Sequence, residues 1–382
     1  MILIVVQCYV TEKMRYANGF VHARVKEYKQ NQIESEVFVL QKKNGKDYNI
    51  DGINVMVGNR RRLEKYIEDN KKITSICFHF FNPYMSKVIN QIERKIPIFI
   101  FVHGNEALHW YQRIFPDRLR GVIRILKFVK YMIVNTYSIF KIKRFFHRTN
   151  KKIEIVCVSE WMKDVTVKNW NLDTQKYKIH IIPNVVNEKL FKYEEKNPNM
   201  RYNILMIRNF NSGKYALDIA MKTIIKLSKY PDFKKFNIRI FGDGWLYEKY
   251  TNSLKQFKNV ELNRMLLSQE QISQEHKKSG IFLCPTRQDA QGVSMCEAMS
   301  SGLIPITSNN TAIPEFLPDE YQLSFKRPEE LANRIIEIAN NSEEFTQLSE
   351  KVSRFINKKC STSETTEKEI NLIKSKCKRI NL

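Results

Sequence analysis

The sequence predicts an α/β protein made of two Rossmann-like, doubly wound domains. Its 382 residues are enough for two domains, or three, at ~150 residues per domain. With 43% hydrophobic residues and only 12 Gly and 11 Pro, the chain can form a sizeable core, which excludes a disordered or fibrous protein. Short apolar runs alternate with helical patterns from the first residue onward, as in parallel strands joined by crossover helices.

Ten apolar runs are predicted as strands. Those in the first half of the chain are Ile2-Val6, Glu36-Leu40, Ile53-Val57, Ser75-Phe80, Ile98-Val102 and Ile155-Val158. The second half repeats the scheme with Asn203-Ile207, Asn237-Phe241, Ile281-Cys284 and Ile304-Thr307. From Pro328 onward the chain is helical and polar, without a further strand pattern.

The domain boundary is expected where this periodicity lapses, after Ile182-Pro183-Asn184 and through the charged stretch 192–200. We therefore predict a first domain over 1–184, a linker over 185–200 and a second domain over 201–355. The remaining residues, 356–382, are predicted as a C-terminal helix, and packing of this helix back on the first domain is one arrangement that we consider.

The cysteines and the apolar runs indicate a cytoplasmic protein. Seven cysteines are scattered without a C-x-x-C pair, which disfavours both a disulfide framework and a zinc site. The opening apolar run lacks the basic segment and the cleavage site of a signal peptide and is predicted as the first strand. No uncharged apolar run reaches the ~18 residues of a membrane-spanning helix.

The chain is strongly basic, with 64 Lys and Arg against 40 Asp and Glu, a net charge of +24 that favours anionic partners. Residues 118–152 hold eleven Lys or Arg and no acid, interleaved with apolar residues at helical spacing. This pattern is typical of a helix that lies on an anionic membrane surface. The alternative is a core helix with a solvated basic face. Nucleic acid is disfavoured, because no nucleic-acid-binding motif accompanies the charge.

The densest group of chemical signals lies between Cys284 and Gly302, in a strand-loop-helix pattern. The chain turns at Gly292 and then enters a helix with Ser294 as a candidate N-cap, and Gly292, Val293 and Ser294 are candidate donor contacts. The backbone N–H groups at such a helix start, with the helix dipole, form a site for a diphosphate. Asp289 and Glu297 supply carboxylates for sugar and ribose hydroxyls. For Glu297 a capping box with Ser294 is the simpler alternative.

Further candidates follow the two preceding strands of the second domain. Arg208 and Lys214 come after the strand that ends at Ile207, where ligands bind in parallel sheets, and could neutralise a departing diphosphate. Gly242 and Gly244 mark a tight turn after the next strand, where a base or ribose could pack. Surface cations and a lone Gly-x-Gly are each weak signals.

In the first domain, His103 and Gly104 end an apolar strand at its carboxyl edge, where sites are built in such sheets. A single histidine there is more often structural than catalytic, but the position favours a functional role. Glu106 and Trp110 follow as candidate acceptor contacts. We interpret the other histidines, including His79 and His147, as structural.

The run P-T-R-Q-D-A-Q-G-V-S-M-C-E-A-M-S-S-G-L-I-P, with Pro314-Glu315 after it, resembles the donor-domain signature of a known family. These are the retaining, nucleotide-sugar-dependent glycosyltransferases of the GT-B fold, family four of the usual classification. The resemblance extends in order across nearly the whole chain. It implies two Rossmann-like domains that face each other across a cleft, with an acceptor-binding domain first and a donor-binding domain second.

The resemblance also implies roles for individual residues. Arg208 and Lys214 would hold the donor diphosphate, Glu297 the ribose and Asp289 the transferred sugar. His103 and Gly19 would face the reaction from the acceptor domain. The sequence departs from the family in having Asp289 in place of the usual Glu, Asn18 in place of the first of two glycines, and Ile207 in place of a glycine. These departures concern the donor's identity more than the fold.

The resulting hypothesis is a retaining glycosyltransferase that moves a sugar from a nucleotide diphosphate to a glycan acceptor. UDP is expected as the donor nucleotide, because it is the commonest one in the family. Residues 118–152 suggest a lipid-linked acceptor of bacterial surface polysaccharide synthesis and a peripheral position on the inner face of the cell membrane. No cofactor or obligatory metal is expected, because no Asp-x-Asp occurs. The alternative is a non-catalytic, polyanion-binding protein on the same scaffold. A third alternative is another enzyme on this scaffold, such as a sugar phosphorylase or an epimerase. Such an enzyme would need a phosphate site or a catalytic base, and the sequence shows neither.

Overall fold

The computed structural model describes residues 1–12, 14, 18–116 and 122–378, and the chain forms two compact units. Unit 1 contains residues 1–112, 129–185 and 362–382, and unit 2 contains residues 113–128 and 186–361. This division differs from the predicted one in two places. Residues 113–128 belong to unit 2 rather than to the first domain, and residues 186–200 are part of unit 2 rather than a separate linker. The last segment belongs to unit 1, the arrangement considered for the C-terminal helix.

Unit 1 is built on a single sheet. Its strands are β1 (Ile2–Val6), β2 (Ser35–Leu40), β3 (Tyr48–Ile50), β4 (Ile53–Gly58), β5 (Ser75–His79), β6 (Ile98–Val102), β7 (Ile153–Cys157) and β8 (Lys178–Ile181). They lie in the order β3-β4-β2-β1-β5-β6-β7-β8, and all neighbours are parallel except β3 and β4. The first five helices are α1 (Gly19–Gln30), α2 (Arg60–Asp69), α3 (Pro83–Gln91), α4 (Val122–Arg148) and α5 (Glu160–Trp170).

The centre of this sheet is apolar because its strands are covered on both faces. All five residues of β1 are buried, and β1 pairs in parallel with β2 on one side and with β5 on the other. The register of β5 against β6 sets His79 beside Phe101, so that His79 and the residue after β6 come to the same carboxyl edge.

Unit 2 contains a second, all-parallel sheet in the order β11-β10-β9-β12-β13-β14. Its strands are β9 (Asn203–Ile207), β10 (Asn237–Phe241), β11 (Val260–Asn263), β12 (Ile281–Leu283), β13 (Ile304–Ser308) and β14 (Ser324–Phe325). Its helices are α6 (Leu217–Leu227), α7 (Tyr247–Thr251), α8 (Gln269–Lys277), α9 (Val293–Ser300), α10 (Pro328–Asn340) and α11 (Ser342–Cys360).

The chain then returns to unit 1 through α12 (Lys368–Lys378). Ile370 and Ile373 of this helix join the core that surrounds β1. The adjacent Glu369 is 1% exposed and pairs with the buried Arg24 of α1, with Arg24 Nε 2.8 Å from Glu369 Oε2. Burial raises the pKa of Glu369, and the Arg24 guanidinium opposes this rise.

All ten predicted strands are present, with ends that differ by two residues or fewer. Four further strands, β3, β8, β11 and β14, were not among the predicted ones. They are the outermost strands of the two sheets. An edge strand pairs on one side only and faces solvent, so it needs no continuous apolar run. The pattern that reveals a buried parallel strand is therefore weakest at the sheet edges.

Candidate active site

Arg208 lies directly after β9, at the carboxyl end of an inner strand of unit 2, and is 8% exposed. Its Nη1 donates to Ser294 Oγ at 2.8 Å and its Nη2 donates to the carbonyl oxygen of Cys284 at 2.8 Å. In the described part of the chain, its Nε is buried without a hydrogen-bond partner and no carboxylate pairs with it. Hydrogen bonds to a hydroxyl and a carbonyl hold the Arg208 guanidinium in place. Because both acceptors are neutral, its positive charge is not compensated.

The helix α9 begins beside Arg208. Gly292 is its N-cap, with a φ of 79° that favours glycine, and a Cβ there would lie 2.9 Å from Ile313 Cδ1. The first N–H groups of a helix have no acceptor within the helix, so this start is suited to an anion. The predicted N-cap Ser294 is wrong, because Ser294 is the second helical residue and its hydroxyl accepts from Arg208. A capping box with Glu297 does not form either, since the cap is Gly292.

Lys214 lies in the short 3₁₀ turn Gly213–Tyr215, which leads into α6. Its N–H donates to Ser212 Oγ at 3.2 Å, and its carbonyl oxygen accepts from the N–H of Arg287 at 2.8 Å. The backbone of Lys214 is therefore tied to the loop after β12. Arg287, which the sequence analysis did not single out, forms a bidentate pair with Asp218 at 2.7 and 2.8 Å and also donates to the carbonyl oxygen of Gly213 at 3.0 Å.

The two predicted carboxylates have different surroundings. Desolvation raises the pKa of Glu297 to about 8, although the side chain of Gln269, the first residue of α8, forms a hydrogen bond that favours the ionised form. Asp289 is partly exposed, and its backbone N–H donates to Thr311 Oγ1 at 3.0 Å. Asp289 therefore lies on a loop that is fixed by its backbone, with its carboxylate partly accessible.

Gly242 and Gly244 are required by the packing of two loops. A Cβ at Gly242 would lie 1.9 Å from the carbonyl oxygen of Arg208, and a Cβ at Gly244 would lie 2.4 Å from the carbonyl carbon of Phe210. Their φ angles, 157° and 150°, also disfavour other residues. These glycines therefore let the loop after β10 approach the loop that carries Arg208, and contact with a donor stays a prediction.

A cavity of about 180 Å³ lies beside the Lys214 turn, within unit 2. The guanidinium of Arg124 covers the ring of Trp245 at 3.4 Å, and both residues line the cavity. Gly213 lines it as well, and a Cβ at Gly213 would lie 2.3 Å from the carbonyl oxygen of Pro116. Residues 113–128 thus pack against the loop that presents Lys214.

In unit 1, His103 lies directly after β6, and its Nε2 is 2.9 Å from Nδ1 of His79. Burial lowers the pKa of both histidines well below the ordinary range, and the nearby Arg24 guanidinium lowers both further. Both imidazoles are therefore neutral at pH 7. His79, which we interpret as structural from the sequence, is buried and is the hydrogen-bond partner of His103.

Aromatic rings enclose His103. The rings of Phe20 and Phe80 each lie with their centroids 4.8 Å from the His103 ring. Phe80 has a φ of 56°, a left-handed conformation that costs a bulky residue about 1–3 kcal/mol. The rest of the fold stabilises this conformation, and it holds the Phe80 ring against His103.

The two weak acceptor candidates have structural partners. The Glu106 carboxylate accepts from the backbone N–H of His103 at 2.6 Å and so fixes the turn after β6. The backbone N–H of Trp110 donates to Asn135 Oδ1 at 2.7 Å, and the Trp110 side chain lines an apolar groove on α4. A contact of either residue with an acceptor stays a prediction.

Gly19 is the first residue of α1, and a Cβ placed on it would meet no atom within 4 Å in the described chain. The preceding Asn18 has a φ of 56° and donates from Nδ2 to the carbonyl oxygen of Cys8 at 2.8 Å. The packing of the chain therefore does not require glycine at position 19.

Helix α4 carries the basic, apolar segment. Within unit 1 its apolar side chains from Val129 to Phe140 are largely exposed, for example Ile133 at 67% and Phe140 at 56%. We call the exposed residues Val129, Ile133, Val134, Tyr137 and Phe140 the α4 surface. The alternative of a core helix with a solvated basic face fits the end of α4, where Ile142, Phe145 and Phe146 are buried, but it does not describe the α4 surface, where apolar side chains themselves face solvent.

Apolar side chains are also exposed at the start of α4, and a groove lies on its unit 1 part. In unit 2, the start of α4 exposes Val122, Ile123, Ile125 and Leu126. A groove of about 520 Å³ lies on the unit 1 part of α4, lined by Trp110, Met132, Ile133, Thr136, Tyr137 and Phe140. The predicted cationic residues Arg118 and Arg120 lie outside the described residues.

No helix among the described residues combines the length and apolar character needed to cross a membrane. They also contain no group of three or more His, Cys, Asp or Glu side chains that could hold a metal ion.

Residues 187–355 match the family model described as glycosyl transferases group 1. The matched range lies within unit 2 and contains Arg208, Lys214, Asp289, α9 and Glu297. This part of unit 2 is therefore similar to a glycosyltransferase group 1 domain. Among curated protein sequences, none matches this chain.

Solved structures resemble the whole chain. A glycosyltransferase from Rickettsia africae superposes with a TM-score of 0.70 at 14% identity, over 98% of this chain and 97% of that chain. Anabaena HepE, in complex with UDP and glucose, gives 0.65 at 12% identity, over 98% and 99%. S. aureus TarM, in a complex that contains UDP, gives 0.60 at 17% identity, over 82% of this chain and 58% of that chain. These likenesses confirm the predicted GT-B fold.

Proposed function

We propose that the protein is a retaining glycosyltransferase that moves a sugar from a nucleotide diphosphate to a glycan acceptor. UDP is the leading candidate for the donor nucleotide. The observation that carries this proposal is Arg208, a buried guanidinium at the carboxyl end of β9 that is bonded to the start of α9. A fixed cation next to a helix N-terminus is suited to a diphosphate, because both place positive charge where negative charge develops on the leaving group.

The other donor contacts follow from this position of the diphosphate. Lys214 would add a second positive charge from the 3₁₀ turn, whose backbone is tied to the loop after β12. Glu297 would accept hydrogen bonds from the ribose hydroxyls, and Asp289 would accept them from the transferred sugar. With these groups supplying the charge and the hydrogen bonds, no metal is needed to hold the donor.

In unit 1, the neutral His103 would meet a hydroxyl of the transferred sugar or of the acceptor. A neutral imidazole can donate or accept one hydrogen bond at each ring nitrogen, depending on its tautomer. Gly19 would leave room for the reacting groups, since its position is open. Retention means that the new glycosidic bond forms on the face that the diphosphate leaves.

A thermal-shift panel tests the donor site directly. The purified protein is heated with UDP, GDP, ADP, CMP and their common sugars, in the presence of a chelator. A ligand at a hundred times its dissociation constant adds ~2.7 kcal/mol to the free energy of unfolding, which is readily measured. We expect one diphosphate and its sugars to raise the melting temperature, and the rise to fall by about half or more in Lys214→Ala, as a tenfold loss of affinity implies. No stabilisation by any nucleotide, with anionic vesicles still bound, would favour the polyanion-binding alternative.

We further propose that the acceptor is lipid-linked, as in bacterial surface polysaccharide synthesis, and that the α4 surface rests on an anionic leaflet. Exposed apolar side chains next to exposed cations such as Lys130 support this proposal. Each cation near an anionic leaflet adds about 1 kcal/mol of attraction, and apolar burial adds to it.

Flotation with vesicles that contain phosphatidylglycerol tests the α4 surface. At low salt we expect the wild type to float and a triple variant, Ile133→Ser with Tyr137→Ser and Phe140→Ser, to stay in solution. The matched control changes two exposed apolar residues of unit 2, Met265→Ser with Leu266→Ser, and should float like the wild type. Equal flotation of all three proteins would contradict the assignment.

A further inference from the structure

Two neighbouring strands of unit 1 end in histidine at the same edge of the sheet. His79 is the last residue of β5 and His103 follows the last residue of β6, and the two rings are stacked with their centroids 5.2 Å apart. His79 Nδ1 and His103 Nε2 lie 2.9 Å apart. Among the described residues, no carboxylate forms an ion pair with either imidazole. The two rings therefore bond to each other.

The charged groups around the pair keep both rings neutral. Arg24 of α1 lies over the Phe101 ring at 5.2 Å, and His79 stacks on the same ring at 4.5 Å. Glu369 of α12 pairs with Arg24, and the Glu106 carboxylate accepts from the backbone N–H of His103. Burial and the Arg24 charge both disfavour imidazolium.

Neutrality limits the pair to two arrangements. Either His79 Nδ1–H donates to His103 Nε2, or His103 Nε2–H donates to His79 Nδ1. In the first arrangement His103 Nδ1 carries a proton, and in the second it is an acceptor. The tautomer of His79 therefore determines what His103 offers at Nδ1.

His103 Nδ1 is itself incomplete. It is buried and has no hydrogen-bond partner in the described part of the chain. Buried polar atoms are almost always satisfied, so an unsatisfied one next to a site indicates a place for a ligand atom. The rings of Phe20 and Phe80 pack against the imidazole, each with its centroid 4.8 Å away.

We propose that His79 is a positioning residue for the transfer reaction: its hydrogen bond fixes the tautomer and orientation of His103, so that His103 Nδ1 meets one hydroxyl of the sugar or the acceptor. This inference rests on the proposed function and extends it to a residue outside the matched family domain. His79 itself touches neither substrate. It acts through His103, as an outer partner fixes the tautomer of a metal-bound histidine.

Three substitutions at position 79 separate positioning from simple packing. Asparagine places an amide atom near the position of Nδ1 and can keep the bond to His103. Glutamine extends the amide to the position of Nε2 and loses that bond. Phenylalanine fills the space without any hydrogen bond. If His79→Phe fails to fold, the comparison of His79→Asn with His79→Gln still decides the question.

The first readout needs no substrate. ¹⁵N spectra of histidine-labelled protein report the tautomer of each ring, and the resonances of His103 are assigned from His103→Phe. We expect His103 to stay neutral between pH 6 and 8 as a single tautomer in the wild type and in His79→Asn. In His79→Gln and His79→Phe we expect a mixture of tautomers.

The second readout is turnover with the UDP-sugar that stabilises the protein in the thermal-shift panel. His79→Gln and His79→Phe should lose roughly 10- to 100-fold in kcat, the cost of a misplaced group. His79→Asn should recover most of the loss, and the dissociation constant for the nucleotide should be unchanged in all three variants.

The proposal is overturned if His79→Asn and His79→Gln have the same kcat and the same tautomer of His103. It is also overturned if His79→Phe keeps one tautomer and full turnover. Failure of the proposed function is a separate result, because the wild type would then bind no nucleotide, whereas the tautomer of His103 is measured without one.

Discussion

The carboxyl edges of the two sheets differ in their chemistry. In unit 2, Arg208 is a buried cation that bonds to a hydroxyl and a carbonyl rather than to a carboxylate. In unit 1, the corresponding edge carries two neutral histidines among aromatic rings, and its buried cation Arg24 is paired with Glu369. The unit 2 edge therefore has a buried positive charge without a carboxylate partner, whereas the positive charge near the unit 1 edge is paired with a carboxylate.

This difference indicates how a transfer reaction would be divided between the units. A diphosphate needs uncompensated positive charge, and among the described residues the unit 2 edge offers it at Arg208, next to a helix start. Sugar and acceptor hydroxyls need neutral partners that donate or accept single hydrogen bonds, as the histidine pair can. The same parallel-sheet architecture therefore supports two kinds of ligand chemistry, which are set by a few residues after the strands.

The largest expected effect is the removal of the free charge in unit 2. Lys214→Ala should lower turnover by ~10² or more, the size of effect seen when one group that stabilises developing charge is lost. Arg208→Ala should lower it at least as much, and should also reduce stability because its bonds to Ser294 and Cys284 are lost. Steady-state kinetics with the identified donor measures both effects.

The control for this prediction removes a lysine at the other end of the same helix. Lys229→Ala removes an exposed charge just beyond the end of α6, whereas Lys214 lies just before its start. We expect wild-type turnover from this variant. Near-wild-type rates in Lys214→Ala and Arg208→Ala would refute the assignment of the diphosphate site.

A second prediction concerns the packing of the unit 2 edge. Gly242→Ala would place a Cβ 1.9 Å from the carbonyl oxygen of Arg208, at a φ that disfavours alanine. We expect a loss of about 2 kcal/mol or more in the free energy of unfolding, measured by urea denaturation. Full stability of this variant would show that the two loops are not in such close contact.

A third prediction uses the raised pKa of Glu297, which is about 8. In the proposed donor site the ionised carboxylate would accept hydrogen bonds from the ribose hydroxyls, so its protonation below pH 8 would weaken binding of the donor. We expect the dissociation constant of the UDP-sugar to rise about tenfold for each pH unit below 8 and to level off above it. A UDP-sugar is the right probe because its diphosphate does not titrate in this range.

Glu297→Gln provides the control for this pH dependence. It should bind the UDP-sugar weakly and with an affinity that no longer changes between pH 6 and 8. The free protein should also become more stable than the wild type as the pH rises, since a raised folded-state pKa destabilises the fold above the unfolded-state pKa. A wild-type affinity that is independent of pH would contradict the role of Glu297.

The smallest structural effect is expected at Gly19, in unit 1. Gly19→Ala adds a Cβ in open space at the start of α1, so the free energy of unfolding should stay the same or rise by up to about 1 kcal/mol. If reacting groups occupy that space, turnover should fall roughly tenfold, as for a small misplacement. Unchanged turnover would mean that Gly19 does not face the reaction.

The buried parts of the fold could be predicted from the sequence, and the edges could not. β1 is apolar throughout because it is covered on both faces, so its residues alone reveal it. β8, with two charged or polar residues in Lys178–Ile181, pairs on one side only and carries no such pattern. A composition shift likewise could not reveal that residues 113–128 belong to unit 2.

The candidate site was predictable where one residue acts alone and not where partners are remote in sequence. Arg208 directly follows an apolar strand, so the sequence alone indicates its place in the site. Its partner Ser294 is 86 residues away, and the local sequence around Ser294 predicts a helix cap instead of this bond. His79 was set aside because nothing local distinguishes it. The signal that could have found it is topological, since two adjacent parallel strands end in His79 and His103.

The most direct test of the central claim is a calorimetric titration of UDP, at pH 8 with a chelator present, into the wild type and Lys214→Ala. If unit 2 holds the diphosphate by positive charge from the protein itself, UDP binds the wild type, and the variant loses roughly tenfold or more in affinity, the value of one hydrogen bond to a charged group. Equal affinity of the two proteins, or no binding of UDP or any other nucleoside diphosphate to the wild type, would contradict the claim.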